Sequence, residues 1–429
     1  MSLDRKKICI VTSAPISYNP RALKEADALA AAGYEVRVVA AQHVTWVADW
    51  DRKLSEGRRW KLDSVEWGDR NSSTKRIRFK SGVRQRVFVR LATALGFERN
   101  IAERAYCRLY DEMLKVSCRE TADLFIAHNP QALPIASRAA QVFGADLEFD
   151  SEDLHTGEFT KDEEQSLTYR LLDFLERKYL PKCKHITSPS DGISRALADR
   201  YGLPLPATIY NVFPLSERDT IDGHSKDRQG PDLSLYWFST IIGLNRGIQD
   251  IIRAASLLSK PTQIHLRGAV EDDVRRELSA LAESCGFKGR LYFHPAVLPD
   301  ELLSRATEHD VGFAVEQPTC QNKILTVSNK MFFYFLAGIA VAATDTVGQT
   351  AIMKSCSDAG FVYPAGNHKA LAEKLQLFMD QPELLEKCKQ ASLQAATDRW
   401  NWEMESVRLL ELIDPLIGSE IAEGVLSSA

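Results

Sequence analysis

The chain has 429 residues, 45% hydrophobic and 26% charged, a composition that excludes disordered, collagen-like and coiled-coil classes. One core rarely grows to such a length, so two or three domains are expected. The net charge is −4, but residues 1–125 carry 24 Lys and Arg against 16 Asp and Glu, whereas the remainder carries 30 against 42. A basic first third on an acidic protein points to an anionic partner: a membrane surface, nucleic acid or a phosphorylated ligand.

Short apolar runs alternate with helical-period stretches throughout, which predicts βαβ units and parallel sheets. Strands are expected at 7–12 (KICIVT), 35–40, 123–127, 146–149 and 185–188, with a last short one at 208–210. An amphipathic helix is expected over 21–32, with Pro20 at its start and Gly33 past its end. From Asn211 to Asp232 the pattern stops in a polar stretch, read as an interdomain linker. A second series follows: strands at 233–239, 263–267, 290–293, 310–315 and 339–343, and helices at 248–258, 274–285 and 330–337, the last stopped by Gly338. Helices at 369–379, 382–399 and 402–413 close the chain. The expected domains are therefore 1–210, a linker over 211–232, 233–400, and over 401–429 a tail and a C-terminal helix that either stays with the second domain or crosses back to the first.

The eight cysteines form no C-x-x-C pair or zinc-like spacing, and read as reduced thiols of a cytosolic protein. The start MSLDRKKICIV has no apolar stretch of signal-peptide length, and no run reaches the length of a membrane span. Asp49-Trp50-Asp51 falls in a stretch read as irregular and is taken as a chance match. No metal and no cofactor are expected.

Ligands of open parallel sheets sit beyond the carboxyl ends of the strands, so the residues there carry the functional reading. After the first strand come Ser13 and, at a helix start, Arg21. Arg21 suits an anionic group, or is a surface arginine. The absence of G-x-G-x-x-G disfavours a dinucleotide site. His128 ends its strand before a proline turn, placed either to project into a cleft or to bond a loop carbonyl. Asp150-Ser151-Glu152-Asp153 offers three carboxylates for sugar hydroxyls, a metal or a cation, or caps the next helix. In the second half, Thr240 follows a strand, and Arg246 with Gly247 opens a helix. Ser328 and Asn329 precede Lys330 at another helix start, where they are expected to cap it. Two cations at strand-to-helix junctions of one domain fit a diphosphate.

In order and spacing these segments resemble the GT-B glycosyltransferases, and among them the large retaining family numbered four. The resemblance is carried by PRALKEADALAAAGYEVRVVA, ADLFIAHNPQALPIA, FDSEDL, LERKYLPKCKHITSPSDGISRALADRYG, FSTIIGLNRGIQDIIRA and SNKMFFYFLAGIAVAATD. It implies two Rossmann-like domains facing a central cleft, with an NDP-sugar donor on the second and an acceptor on the first, retention at the anomeric carbon and no metal. Arg246 and Lys330 match the family's diphosphate-binding residues, with Gly247 beside them. Thr240, Glu316, Ser328 and Asn329 fall near the donor. His128, Asp150 and Glu152 would act at the reacting sugar, and Ser13 and Arg21 on the acceptor side. Phe333 stands where the family carries a ribose-binding Glu, Thr326 where it carries a second, and the Asp-x-His-Glu histidine is replaced by Glu152. The implied function is sugar transfer from an NDP-sugar to a saccharide or lipid-linked acceptor in bacterial cell-surface polysaccharide or glycolipid assembly. A non-catalytic GT-B scaffold is the alternative, and a sugar-nucleotide epimerase the third reading.

Seven basic residues fall between Lys75 and Arg90, with Val83, Val87, Phe88 and Leu91 interleaved at helical spacing. A basic amphipathic helix either lies on an anionic membrane face, through Arg84, Arg86 and Arg90, or packs its apolar side into the core. Nucleic acid is not expected, since the stretch lacks interleaved exposed aromatics. The expected location is the cytoplasm, peripheral at the inner face of the plasma membrane.

Overall fold

The computed structural model describes residues 6–417. Two compact units divide the chain: one runs to Ile209 and resumes at Ser406, and the other comprises Tyr210–Glu405. The first holds a seven-stranded sheet in the order β3-β2-β1-β4-β5-β6-β7. Its strands are β1 (Lys7–Thr12), β2 (Glu35–Gln42), β3 (Lys61–Glu66), β4 (Leu124–His128), β5 (Asp146–Asp150), β6 (His185–Ser188) and β7 (Ala207–Thr208). The second holds six strands in the order β10-β9-β8-β11-β12-β13. These are β8 (Leu233–Ile242), β9 (Thr262–Val270), β10 (Arg290–His294), β11 (Val311–Ala314), β12 (Ala340–Thr344) and β13 (Gly360–Tyr363). Among the described residues every strand pairing is parallel. In each sheet the strand order reverses direction once, between β1 and β4 and between β8 and β11. Ligands of open α/β sheets sit at such points, beyond the carboxyl ends of the strands.

The helix Pro20–Ala31 starts where Asn19 accepts a hydrogen bond from the Ala22 amide at 3.0 Å, with Pro20 in the first turn. Its inward face carries Ala22, Ala26 and Leu29, but also Arg21 and Glu25. In the second unit the helix Asn329–Ala337 is buried from Met331 to Ala337. Tyr334 seats its ring where any side chain on Gly312 would stand: a Cβ there would lie 2.3 Å from the ring. That close approach fixes the helix against β11 and with it the position of Lys330.

Several elements differ from the sequence expectation. The stretch around Asp49-Trp50-Asp51 is not irregular but a helix, Thr45–Ser55. Asp51 is fully buried and accepts hydrogen bonds from the amides of Ile16 (2.9 Å) and Ser17 (3.1 Å). It satisfies backbone donors that would otherwise be orphaned. β3 was not expected because it is an edge strand with only Val65 buried, so its sequence lacks an apolar run. In the segment read as a linker, the amides of Lys226, Asp227 and Arg228 donate to one carboxylate oxygen of Glu308, at 2.8, 2.6 and 3.2 Å. Its polar composition reflects this bonding.

Candidate active site

In the second unit, the loops after β8 and β11 enclose a cavity of about 130 Å³ lined by Trp237, Asn245, Arg246, Val315, Glu316, Gln317, Thr319, Lys323 and Lys330. It lies at the sheet's switch point. Gly247 shapes it: its φ is +78°, and a Cβ there would meet Val315 at 2.8 Å and the Gln317 amide nitrogen at 2.9 Å. Only glycine satisfies both conditions. Lys330 is delivered by the first turn of the buried helix, with its ammonium 5.5 Å from the Trp237 ring centre. Burial pulls that ammonium below the usual lysine range, and Glu316 opposes the shift. Glu316 feels burial in the opposite sense, but Lys323 (3.2 Å away) and Lys330 hold its carboxyl below the usual range. Arg246 is exposed and has no ion-pair partner among the described residues. Three cations thus line the cavity beside a single carboxylate, and the cavity carries a net positive charge. The amide nitrogen of Gln317 is buried there without a hydrogen-bond partner.

In the first unit, the ends of β4 and β5 and the helix Pro20–Ala31 meet in a buried charged network. Arg21 is 4% and Asp150 3% exposed. The Arg21 Nε donates to both Asp150 oxygens, at 2.8 and 2.7 Å, and its Nη1 donates to the Ile209 carbonyl. Thr187 donates to Asp150 at 2.9 Å. His128 is fully buried, with Nε2 on Glu25 at 2.5 Å and Nδ1 on Glu152 at 3.0 Å. Burial pushes the His128 pKa down, but Glu25 and Glu152 outweigh it and hold the ring protonated well above the usual range. Burial likewise pushes Asp150 up, and the charges of Arg21 and His128 bring it below the usual carboxylate range. Glu148, fully buried with neither oxygen bonded, is raised well above its normal range by burial and the carboxylates of Glu25 and Asp150. The open end of the network is Glu152, whose side chain is 23% exposed. Its φ of +57° is uncommon for a non-glycine residue, and such strain collects at functional positions. Glu25, His128 and Asp150 each offer one atom within 4.8 Å of the others, a spacing that a metal ion could bridge. Arg21 already supplies a positive charge to Asp150 at that place.

Residues 18–214 match the family model described as the glycosyl transferase 4-like domain. Among solved structures, HepE of Anabaena in complex with UDP and glucose aligns with a TM-score of 0.68 at 14% identity, covering 96% of this chain and all of that one. Sucrose-phosphate synthase of Thermosynechococcus elongatus aligns with a TM-score of 0.68 at 13% identity, covering 96% and 100%. An E. coli trehalose-6-phosphate protein bound with UDP-2-fluoro glucose gives 0.62 at 11%, covering 95% and 99%. No curated protein matches the sequence. The fold is GT-B.

On this GT-B framework the expected donor residues divide. Arg246, Lys330 and Glu316 line the second unit's cavity, and Gly247 braces its wall. Ser328, 5% exposed, makes no capping bond, contrary to expectation; its side chain turns to the Glu316 carboxylate instead. Thr240 and Asn329 are exposed and do not line the cavity. Thr240 lies where the β8–β9 pairing slips between Phe238 and Ile241. Phe333 is 2% exposed and packs edge-on against Phe213, their centres 5.1 Å apart. Lys323, Gln317 and Trp237 join the cavity without having been singled out in the sequence.

In the first unit Arg21 is not an anion-binding arginine at a helix start; its guanidinium is used internally by Asp150. Asp150 is correspondingly a buried counter-ion. The two ring nitrogens of His128 are taken by Glu25 and Glu152. Ser13 donates to Asn129 at 2.7 Å across the β1–β4 switch point. The basic stretch is a helix, Ser72–Leu95. Arg84 departs from the expected membrane-facing set: it pairs with Glu112 and, at 3.1 Å, with Asp111. Arg86 and Arg90 are exposed, as are Phe79, Val83 and Val87, while Phe88 and Leu91 pack against the core. Among the described residues no helix is long and apolar enough to cross a membrane.

Proposed function

We propose that this GT-B protein is a retaining, metal-independent hexosyltransferase that moves a sugar from an NDP-sugar to a saccharide or lipid-linked acceptor. The observation that carries this reading is the convergence of Arg246, Lys323 and Lys330 on one cavity at the switch point of the second sheet. Cleavage of the sugar–phosphate bond builds negative charge on the departing diphosphate. Cations fixed beforehand lower the barrier where they meet that charge, and three of them supply what a divalent ion would otherwise supply. Glu316 holds Lys323 and is close enough to Lys330 to orient it. The ligands of the aligned proteins, UDP with glucose and UDP-2-fluoro glucose, support a uridine donor. On the first unit, Glu152 presents a carboxylate toward the acceptor, and His128 and Asn19 orient it.

Thermal shift with a panel of nucleoside diphosphates tests this reading. Stabilisation by one base at millimolar concentration is expected, and ligand bound at 100 times Kd adds about 2.7 kcal/mol. A flat response across the panel would favour a non-catalytic scaffold. One observation favours that second reading: Phe333 packs in the core where the family's ribose-binding carboxylate would stand.

The setting in this proposal is bacterial cell-surface polysaccharide or glycolipid assembly, in the cytoplasm at the inner face of the plasma membrane. The helix Ser72–Leu95 supports it, since Phe79, Val83 and Val87 lie exposed among Arg86 and Arg90. Each basic residue near an anionic surface is worth about 1 kcal/mol. Arg86→Glu with Arg90→Glu is therefore expected to abolish co-sedimentation with anionic vesicles, with neutral vesicles binding neither form. Equal binding by the variant would remove the membrane from the proposal.

A further inference from the structure

The first unit has a cavity that none of the residues assigned above explains, apart from Ser13 at its edge. It measures about 230 Å³ and lies beyond the carboxyl ends of β1 to β4, over that sheet's switch point. Ser13 and Pro15 come from the β1 end, His43 from β2, Trp67 from β3 and Gln131 from β4. Leu109, Met113 and Ile135 form a buried apolar floor, and Tyr18, 54% exposed, stands at the mouth.

Arg108 is the cation in this wall. Its guanidinium lies 4.3 Å from the centre of the Trp67 ring. It donates to the Arg78 carbonyl at 2.8 Å and to the Ser81 hydroxyl at 3.3 Å, and has no carboxylate within ion-pairing distance among the described residues. The loops that hold it are closely packed. Trp67 donates its amide to the Gln42 carbonyl at 2.7 Å, and at Gly68 a Cβ would stand 2.6 Å from the His43 carbonyl oxygen. Burial and the neighbouring charges of Arg78 and Arg86 lower the Arg108 pKa, the mark of a cation without a counter-ion. Such a cation, with an apolar floor and the polar side chains of Ser13, His43 and Gln131 around it, suits a ligand with hydroxyls, apolar faces and one negative group.

We propose that this cavity binds a saccharide carrying an anionic group, a carboxylate or a phosphate, with the anion on Arg108 and the sugar ring over Leu109, Met113 and Ile135. The inference rests on the reading of the first unit as the acceptor side, and gives that acceptor a class: an acidic sugar.

The test uses the full chain with three sugars of similar size: methyl β-glucuronide, glucose 6-phosphate and methyl β-glucoside. Affinities are read by ligand-observed NMR titration. At least one anionic sugar is expected to bind roughly tenfold or more tightly than the neutral one, as for a charge-assisted contact. Which of the two gains identifies the group as carboxylate or phosphate. Arg108→Gln is expected to erase the difference and Arg108→Lys to keep part of it. Equal affinity for all three sugars would overturn the proposal, as would an undiminished preference in Arg108→Gln. The comparison of sugars on the unaltered protein decides even if the variant melts early. UDP binding is followed in the same samples. UDP bound without preference for an acidic sugar overturns the acceptor class alone, whereas failure of UDP as well overturns the transferase reading.

Discussion

Arg21→Met is expected to destabilise the first unit by about 3–5 kcal/mol, because it leaves Asp150 buried without its cation. Denaturant unfolding, followed with a probe confined to the first unit, measures it; two units need not unfold in one step. The replacement also frees the Ile209 carbonyl and alters the charge around His128, whose protonation depends on the neighbouring carboxylates. Arg21→Met combined with Asp150→Leu removes both charges and is expected to recover a large part of the loss, since a matched apolar pair often replaces a buried ion pair at little cost. A loss under about 1 kcal/mol for the single variant, the range of exposed pairs, would show that the network is solvated.

Arg246→Ala and Lys330→Ala are each expected to weaken nucleoside diphosphate binding by about 2 kcal/mol or more, roughly thirtyfold, as for loss of a charge-assisted contact. Calorimetry reads the affinity directly. The two differ in what else they disturb. Arg246 is exposed, so its removal should leave the melting temperature unchanged. Lys330 packs against Trp237 and faces Glu316, so its variant is expected to lose some stability too. Unchanged affinity in the Arg246 variant, with the fold intact, would take the diphosphate away from this cavity.

The sequence showed the framework because parallel strands buried on both faces read as apolar runs, as in KICIVT and EVRVVAAQ. Arg246 and Lys330 were legible from their place at strand-to-helix junctions. Lys323 was not, because the helix that carries it, Gln321–Leu325, is one turn long and leaves no periodic trace. Arg21 was misread because a charge at a helix start ordinarily faces water. Its spacing held the clue: Arg21 and Glu25 lie one turn apart, in line with Ala22, Ala26 and Leu29 on the buried face. Arg84 followed the same pattern, since its partners Asp111 and Glu112 are distant in sequence. The Arg108 cavity draws on four strand ends and the segment near Cys107, a convergence that only the folded chain displays.

Each cavity is furnished by side chains from its own unit alone. Selection can therefore retune one without retouching the other. On the proposed reading, chimaeras in which Tyr210–Glu405 is replaced by the matching segment of a relative would exchange the nucleotide preference as a cassette and leave the sugar site of the first unit as it is.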